Sequence, residues 1–309
     1  MTEVHVELLI AGSCRAVAGM AVAGGGLGPT DFPALVAVIR HPGLGITLFD
    51  TGYSARFDEA TQGFPQRVYR WVTPVQFAPE DTAVAQLRAR GVSADEVGHV
   101  VISHVHADHV AGLRDFPSAR IILSPKELPS GWRDRSAWSQ LRHATLPGLL
   151  PDDVDVRIDA GSRADLDSQP DAEALDPRHP RAARGPLAQQ RCVLTGLPGS
   201  LAMGMDICGD GSMLVIDLPG HTPGHQGLYL PRTQGPPVLL VGDACWSRAA
   251  YTETRLPPKP VQRFMAEPTA YRAVIADLAQ VHRTLPEVLI VPSHCAPSIA
   301  AARAELASA

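Results

Sequence analysis

The segment Ser103-His104-Val105-His106-Ala107-Asp108-His109 constrains this chain more than any other feature. Three imidazoles and a carboxylate packed so closely repel or desolvate one another unless a cation lies between them. Alternate side chains of an extended backbone share a face, so His104 and His106 point the same way. A bend after them turns Asp108 and His109 toward a neighbouring position. Imidazole nitrogen with carboxylate oxygen suits Zn²⁺ at about 2.0–2.2 Å, with Fe or Mn as less decisive matches. The segment directly follows the apolar run 99–102, which reads as a strand.

Three more residues of ligand type stand where an apolar run meets a loop. His221 follows Asp217-Leu218-Pro219-Gly220, Asp243 follows 238–241 through Gly242, and His294 follows 288–291. Strand ends are rigid, which suits them to presenting ligands. Five histidines and two aspartates are too many for one tetrahedral zinc. They suit two adjacent metals about 3.5–4 Å apart that share a carboxylate. Ligands spread from His104 to His294 must converge on one site, which favours a single domain over 1–309.

The remaining pattern is one of strands and helices. Residues 4–10 read as a first strand ended by a Gly12-Ser13 turn. Residues 34–40 and 45–49 flank His41-Pro42-Gly43 as a hairpin running into Asp50-Thr51-Gly52. A helix is expected over 81–90, stopped by Gly91, and Ser93 with Glu96 has capping-box spacing. Strands are expected over 120–123, 212–218 and 228–230. Tyr271, Val274, Ile275, Leu278 and Val281 recur at helical spacing and predict an amphipathic helix over 268–284, packed on the core. Two β-rich halves with helices outside make an α/β fold. The stretch 161–190 holds four prolines and nine charges but only Leu166, Leu175 and Leu187 as large apolar residues. Such a segment buries little and reads as a polar insertion.

Composition removes several classes. With 309 residues, 45% hydrophobic and 19% charged, the chain sustains a substantial core and is neither disordered nor a disulfide miniprotein. Its net charge of −5 argues against nucleic acid or an anionic membrane surface as partner and fits a small-molecule substrate. No apolar run approaches the roughly 20 residues that span a bilayer. Five scattered cysteines without C-x-x-C point to a reducing compartment, the cytoplasm. The N-terminal run ELLIAGSC lacks a basic n-region and carries Glu7, after Glu3, so it reads as a strand and not as a secretion signal.

H-x-H-x-D-H followed far downstream by His, Asp and His resembles the metallo-β-lactamase superfamily, over nearly the whole chain. The resemblance implies an αβ/βα sandwich with metals along one edge of its two sheets. It also implies that His104, His106 and His221 hold one metal, that Asp108, His109 and His294 hold a second, and that Asp243 bridges them. The finer match is to the N-acyl-homoserine lactonases. It is carried by Ala11-Gly12-Ser13-Cys14, by Leu48-Phe49-Asp50-Thr51-Gly52, by Pro219-Gly220-His221-Thr222-Pro223-Gly224-His225-Gln226 and by Gly242-Asp243-Ala244. This implies a quorum-quenching hydrolase with two Zn²⁺ (Fe, Mn or Co as alternatives), acting on a small-molecule lactone or ester. A metal-bridging hydroxide would attack the ring carbonyl, with Asp108 or Asp243 as catalytic carboxylate passing a proton to the leaving alkoxide. His225 reads as support for the ligands, and a homodimer is a possible assembly.

The chain departs from that pattern in places. The lactonases usually carry a tyrosine three residues after the bridging aspartate, where this chain has Trp246. An indole donates an N–H but does not exchange a proton as a phenol does. Tyr251 is the nearest substitute, so Trp246 and Tyr251 are the candidate substrate-binding residues. Cys295 follows His294 where an acidic residue is common, and 161–190 is longer than the usual connection. Phe64, Tyr69, Trp71, Trp132 and Trp138 are candidates for an apolar acyl pocket. Because the P-G-H-T-P-G-H run also occurs in glyoxalase II relatives, a thioester or ester hydrolase is the alternative. A signal-binding protein with little turnover is another.

Overall fold

The period of two along the strands sorts the apolar residues into separate cores. The computed structural model describes residues 2, 4–158, 173–175, 190–231 and 235–308. In β2 (Pro29–His41), Ala34, Val36 and Val38 enter one core, while Leu35, Ala37 and Ile39 enter another. Both faces of that strand are buried, as its continuous apolar run requires. In β12 (Val238–Gly242), Val238 and Leu240 share a core with Leu35, whereas Leu239 and Val241 face a third. The middle core therefore lies between two sheets, and each outer core lies under helices. This is the expected αβ/βα sandwich.

The first sheet has six strands in the order β4-β1-β2-β3-β5-β6. Besides β2 these are β1 (His5–Val17), β3 (Gly45–Phe49), β4 (Val75–Gln76), β5 (Val97–Val101) and β6 (Arg120–Ile122). The second has seven, ordered β13-β12-β11-β10-β9-β8-β7. Besides β12 they are β7 (Glu173–Leu175), β8 (Gln190–Leu194), β9 (Met203–Asp206), β10 (Leu214–Asp217), β11 (Gln226–Leu230) and β13 (Leu289–Pro292).

Strand direction decides where the loops gather. β3, β5 and β6 run parallel, so the residues after β3 and β5 emerge at the same sheet edge. In the other sheet β12 and β13 are parallel, and two antiparallel steps through β11 give β10 that direction too. The chain leaves β10, β12 and β13 just before His221, Asp243 and His294.

The helix Pro268–Thr284 forms as its apolar spacing predicts and buries Tyr271, Val274, Ile275, Leu278 and Val281 under the second sheet. The Ser93–Glu96 box also forms, Glu96 accepting the Ser93 amide at 2.8 Å. One expectation needs correction: Gly12-Ser13 is no turn. β1 continues through it, with a register shift between Ile10 and Ser13 that bends the strand while β2 stays paired on both sides. The helix Ala296–Ser308 has no clear apolar stripe in the sequence, yet it closes the middle core with Ile299 and Ala302. The polar insertion expected at 161–190 lies outside the described residues, apart from β7 and Gln190. No helix among the described residues is long and apolar enough to cross a membrane. All five cysteines are free and buried.

Candidate metal centre

His104 and His106 leave β5 on an extended stretch, and the short helix Ala107–Val110 then turns Asp108 and His109 inward. The seven residues singled out by the sequence come together. His221 Nε2 faces His106 Nδ1 at 3.0 Å and Asp243 Oδ2 at 3.3 Å, and His104 Nε2 lies 4.0 Å from the same oxygen. The other Asp243 oxygen, Oδ1, is 3.5 Å from His109 Nε2 and 3.0 Å from His294 Nε2. Asp108 Oδ2 completes that second group, 3.6 Å from His109 Nε2 and 3.1 Å from His294 Nε2. Asp243 thus offers one oxygen to His104, His106 and His221, and the other to Asp108, His109 and His294.

The atoms fit a cation. His104 Nε2, His109 Nε2 and Asp243 Oδ1 are buried and make no well-aligned hydrogen bond, only the close contacts given above. Each such atom costs about 1–3 kcal/mol if nothing binds it. The opposite ring nitrogens are held from behind, which aims the free lone pairs inward. His109 Nδ1 donates to Asp50 Oδ2 at 2.7 Å, and His294 Nδ1 donates to the Pro33 carbonyl at 2.7 Å. His104 Nδ1 meets Ser103 Oγ at 3.0 Å, and His221 Nδ1 meets the thioether of Met265 at 3.4 Å. The His143 carbonyl takes the remaining N–H of His106.

Charge follows the same division. Burial, and then the neighbouring imidazoles of His109, His106 and His221, hold His104 well below the usual imidazole range. Burial likewise lowers His221 and His106. Burial alone would raise Asp108, but His109 and His294 outweigh it and bring the carboxyl down to about 2. Asp243 is also pulled well down against burial, by His294 and His109. His109 and His294 themselves rise, because the surrounding carboxylates overcome their desolvation. A divalent ion would replace that proton-borne positive charge.

His225 backs the cluster, its Nε2 accepting the Asp243 amide at 2.9 Å. Gly242 has φ +52°, and a Cβ there would stand 2.8 Å from that nitrogen, so only glycine lets the two approach. Trp246 donates its indole N–H to Asp243 Oδ2 at 2.8 Å and stands edge-on to His221. Tyr251 is not brought to the cluster; its hydroxyl donates to the Ile290 carbonyl at 3.3 Å. Cys295 Sγ accepts from Arg248 and Ser298. Among the aromatic candidates, Trp132 is buried and Tyr69 half-buried, while Phe64, Trp71 and Trp138 are 70%, 65% and 58% exposed. Phe64 and Trp138 pack edge to face.

Sequence reasoning gave no role to Asp50, Ser103, Glu127 or Met265. Only Asp50 had a usable signal, an acidic residue directly after an apolar strand. A second buried trio, His41, Cys208 and Asp210, is not a comparable site. His41 Nδ1 accepts the Gly43 and Leu44 amides, so its Nε2 carries the hydrogen that Ser212 and Asp210 receive.

A sandwich of two sheets with buried imidazoles and carboxylates along one shared edge defines a class, the metal-binding αβ/βα proteins. The model of the metallo-beta-lactamase superfamily matches residues 29–182, and the chain belongs to that superfamily. That segment contains His104 to His109, while His221, Asp243 and His294 lie beyond it and join through the fold. The N-acyl homoserine lactonase AttM of Azorhizobium caulinodans is 25% identical over 258 residues, covering 83% of this chain and 82% of the relative. A solved N-acyl homoserine lactone hydrolase, with the product N-hexanoyl-L-homoserine bound at its catalytic metal centre, superposes with a TM-score of 0.66 at 16% identity. The match covers 97% of each chain. The dizinc quorum-quenching lactonase AidC gives a TM-score of 0.54 at 15% identity, over 95% of this chain and 88% of that one.

Proposed function

We propose that this protein is a dinuclear zinc hydrolase that opens the ring of an N-acyl-homoserine lactone. One observation carries the hydrolase reading: the two oxygens of Asp243 reach two separate ligand groups. The substrate class is supported by the relatives named as lactonases, which align over most of their own length.

His104, His106, His221 and Asp243 Oδ2 would hold one ion, and Asp108, His109, His294 and Asp243 Oδ1 the other. Bound there, such a pair supplies Lewis acidity toward a carbonyl and makes water a nucleophile near neutral pH. The chain's own residues do the rest. Asp108, its carboxyl held down at about 2, is ionised near neutral pH and so can relay, but not retain, the proton that passes to the leaving ring oxygen. Trp246 contributes a wall beside His221 and no proton, since its N–H is engaged by Asp243. The exposed rings of Phe64, Trp71 and Trp138 offer an apolar surface for the acyl chain. Trp138 lies on the helix Ala137–Arg142, which leads into His143 and so to His106. We further infer that 1–309 act as one domain, and the five free cysteines support a reducing compartment such as the cytoplasm.

The test is ring opening of a panel of acyl-homoserine lactones by protein carrying two equivalents of zinc, followed by acid release. Turnover well above that of His106→Ala is expected. Turnover no higher than that variant overturns the lactonase reading. Faster cleavage of S-lactoylglutathione at equal enzyme would make it a thioesterase, and tight lactone binding without turnover a signal-binding protein.

A further inference from the structure

Glu127 is a buried carboxylate outside both ligand groups, at the end of the short turn Pro125–Glu127 after β6. Its Oε2 accepts the Val105 amide at 3.2 Å. Its Oε1 accepts the Thr222 hydroxyl at 2.6 Å and the Gly224 amide at 2.8 Å. Val105 sits between His104 and His106, and Thr222 follows His221. These contacts tie together two loops whose histidines, His106 and His221, are 115 positions apart yet meet at 3.0 Å. The second loop is shaped for this approach, because a Cβ on Gly224 would stand 2.9 Å from Glu127 Oε1 and from its amide nitrogen.

We propose that Glu127 is a positioning residue that clamps these loops and sets the spacing of His104, His106 and His221. The other group is held by different means, His109 through Asp50 and His294 through the Pro33 carbonyl. The clamp therefore acts on one metal position and spares the other. This inference rests on the two-metal reading but not on the identity of the substrate.

Glu127→Gln keeps the shape and removes one acceptor. With its oxygen on Thr222 and Gly224, its amide nitrogen opposes the Val105 N–H, and two donors face each other. Zinc titration of the metal-free protein against a chromophoric chelator, with Co²⁺ electronic spectra of the refilled protein, reads the two positions apart. Wild type is expected to take two equivalents. Glu127→Gln is expected to keep one at wild-type affinity and bind the other about 10- to 100-fold more weakly, with an altered Co²⁺ spectrum for that ion alone. Thr222→Val should weaken the same equivalent by less, and the double variant should be no worse than Glu127→Gln. Equal weakening of both equivalents, or of neither, in folded Glu127→Gln overturns the proposal. If Glu127→Gln does not fold, wild-type binding of both equivalents by Thr222→Val overturns it instead. A wild type that binds fewer than two equivalents overturns the two-metal reading, and the clamp with it. Failure to open lactones leaves this measurement unaffected.

Discussion

Asp50 orients the imidazole of His109, a candidate ligand 59 positions further along the chain. Its Oδ1 accepts the Ser103 amide at 2.7 Å, and its Oδ2 accepts the Ser103 hydroxyl at 2.9 Å and His109 Nδ1 at 2.7 Å. The residue is fully buried with φ +60°, a left-handed conformation uncommon outside glycine, though aspartate tolerates it better than most. The strain is retained where it places a carboxylate behind an imidazole. Asp50→Asn sets an amide N–H₂ against one of these donors. It is expected to lower zinc affinity at the Asp108, His109 and His294 position about 10- to 100-fold, as zinc titration will measure. Asp50→Gly relaxes the backbone and is expected to do no better, because the acceptor is gone. Unchanged zinc binding by both variants would remove Asp50 from this role. The seven candidate ligands are readable in the sequence because alternate spacing and strand ends are local signals. Asp50, Glu127 and Met265 are not, since each acts through a neighbour that only the folded register supplies.

Among the elements, the helix Pro268–Thr284 was the clearest in the sequence, because a 3.6-residue apolar period over several turns has few rivals. In β1, Gly12-Ser13 suggests a turn locally, while pairing with β2 overrides it. Strands β8 and β9 carry little signal in the sequence, lying beside the polar stretch where the apolar pattern is weak. The start of the long helix packs on the His221 loop, the Glu267 amide donating to the Gly220 carbonyl at 2.9 Å, whereas Leu278 lies about three turns further along, and its independence of the candidate centre is testable. Leu278 is fully buried in the core beneath the second sheet. Leu278→Ala is expected to cost about 2–5 kcal/mol of stability, measured by urea unfolding, with zinc stoichiometry unchanged in the folded protein. Loss of zinc in folded Leu278→Ala would show that this helix sets the site as well as the core.

At the scale of the whole molecule, the site is a seam. His104, His106, Asp108 and His109 leave the first sheet, whereas His221, Asp243 and His294 leave the second. The two sheets already share a core built from Leu35, Ile39 and Phe49 on one side and Val215, Leu228 and Leu240 on the other. Ions bound along that edge would add a second tie between the same halves. Anything that binds the folded state and not the unfolded chain stabilises it by mass action, about 2.7 kcal/mol for one site at a free concentration 100 times its Kd. Stripping with a chelator is therefore expected to lower Tm, and zinc should restore it in a concentration-dependent way. Mg²⁺, which prefers oxygen ligands and holds its water tightly, should not. The His106→Ala protein should gain less from zinc than wild type, because one of the two ligand groups is incomplete. A Tm independent of zinc in wild type would mean that the buried imidazoles close the seam without an ion, and their unpaired nitrogens would then need another partner.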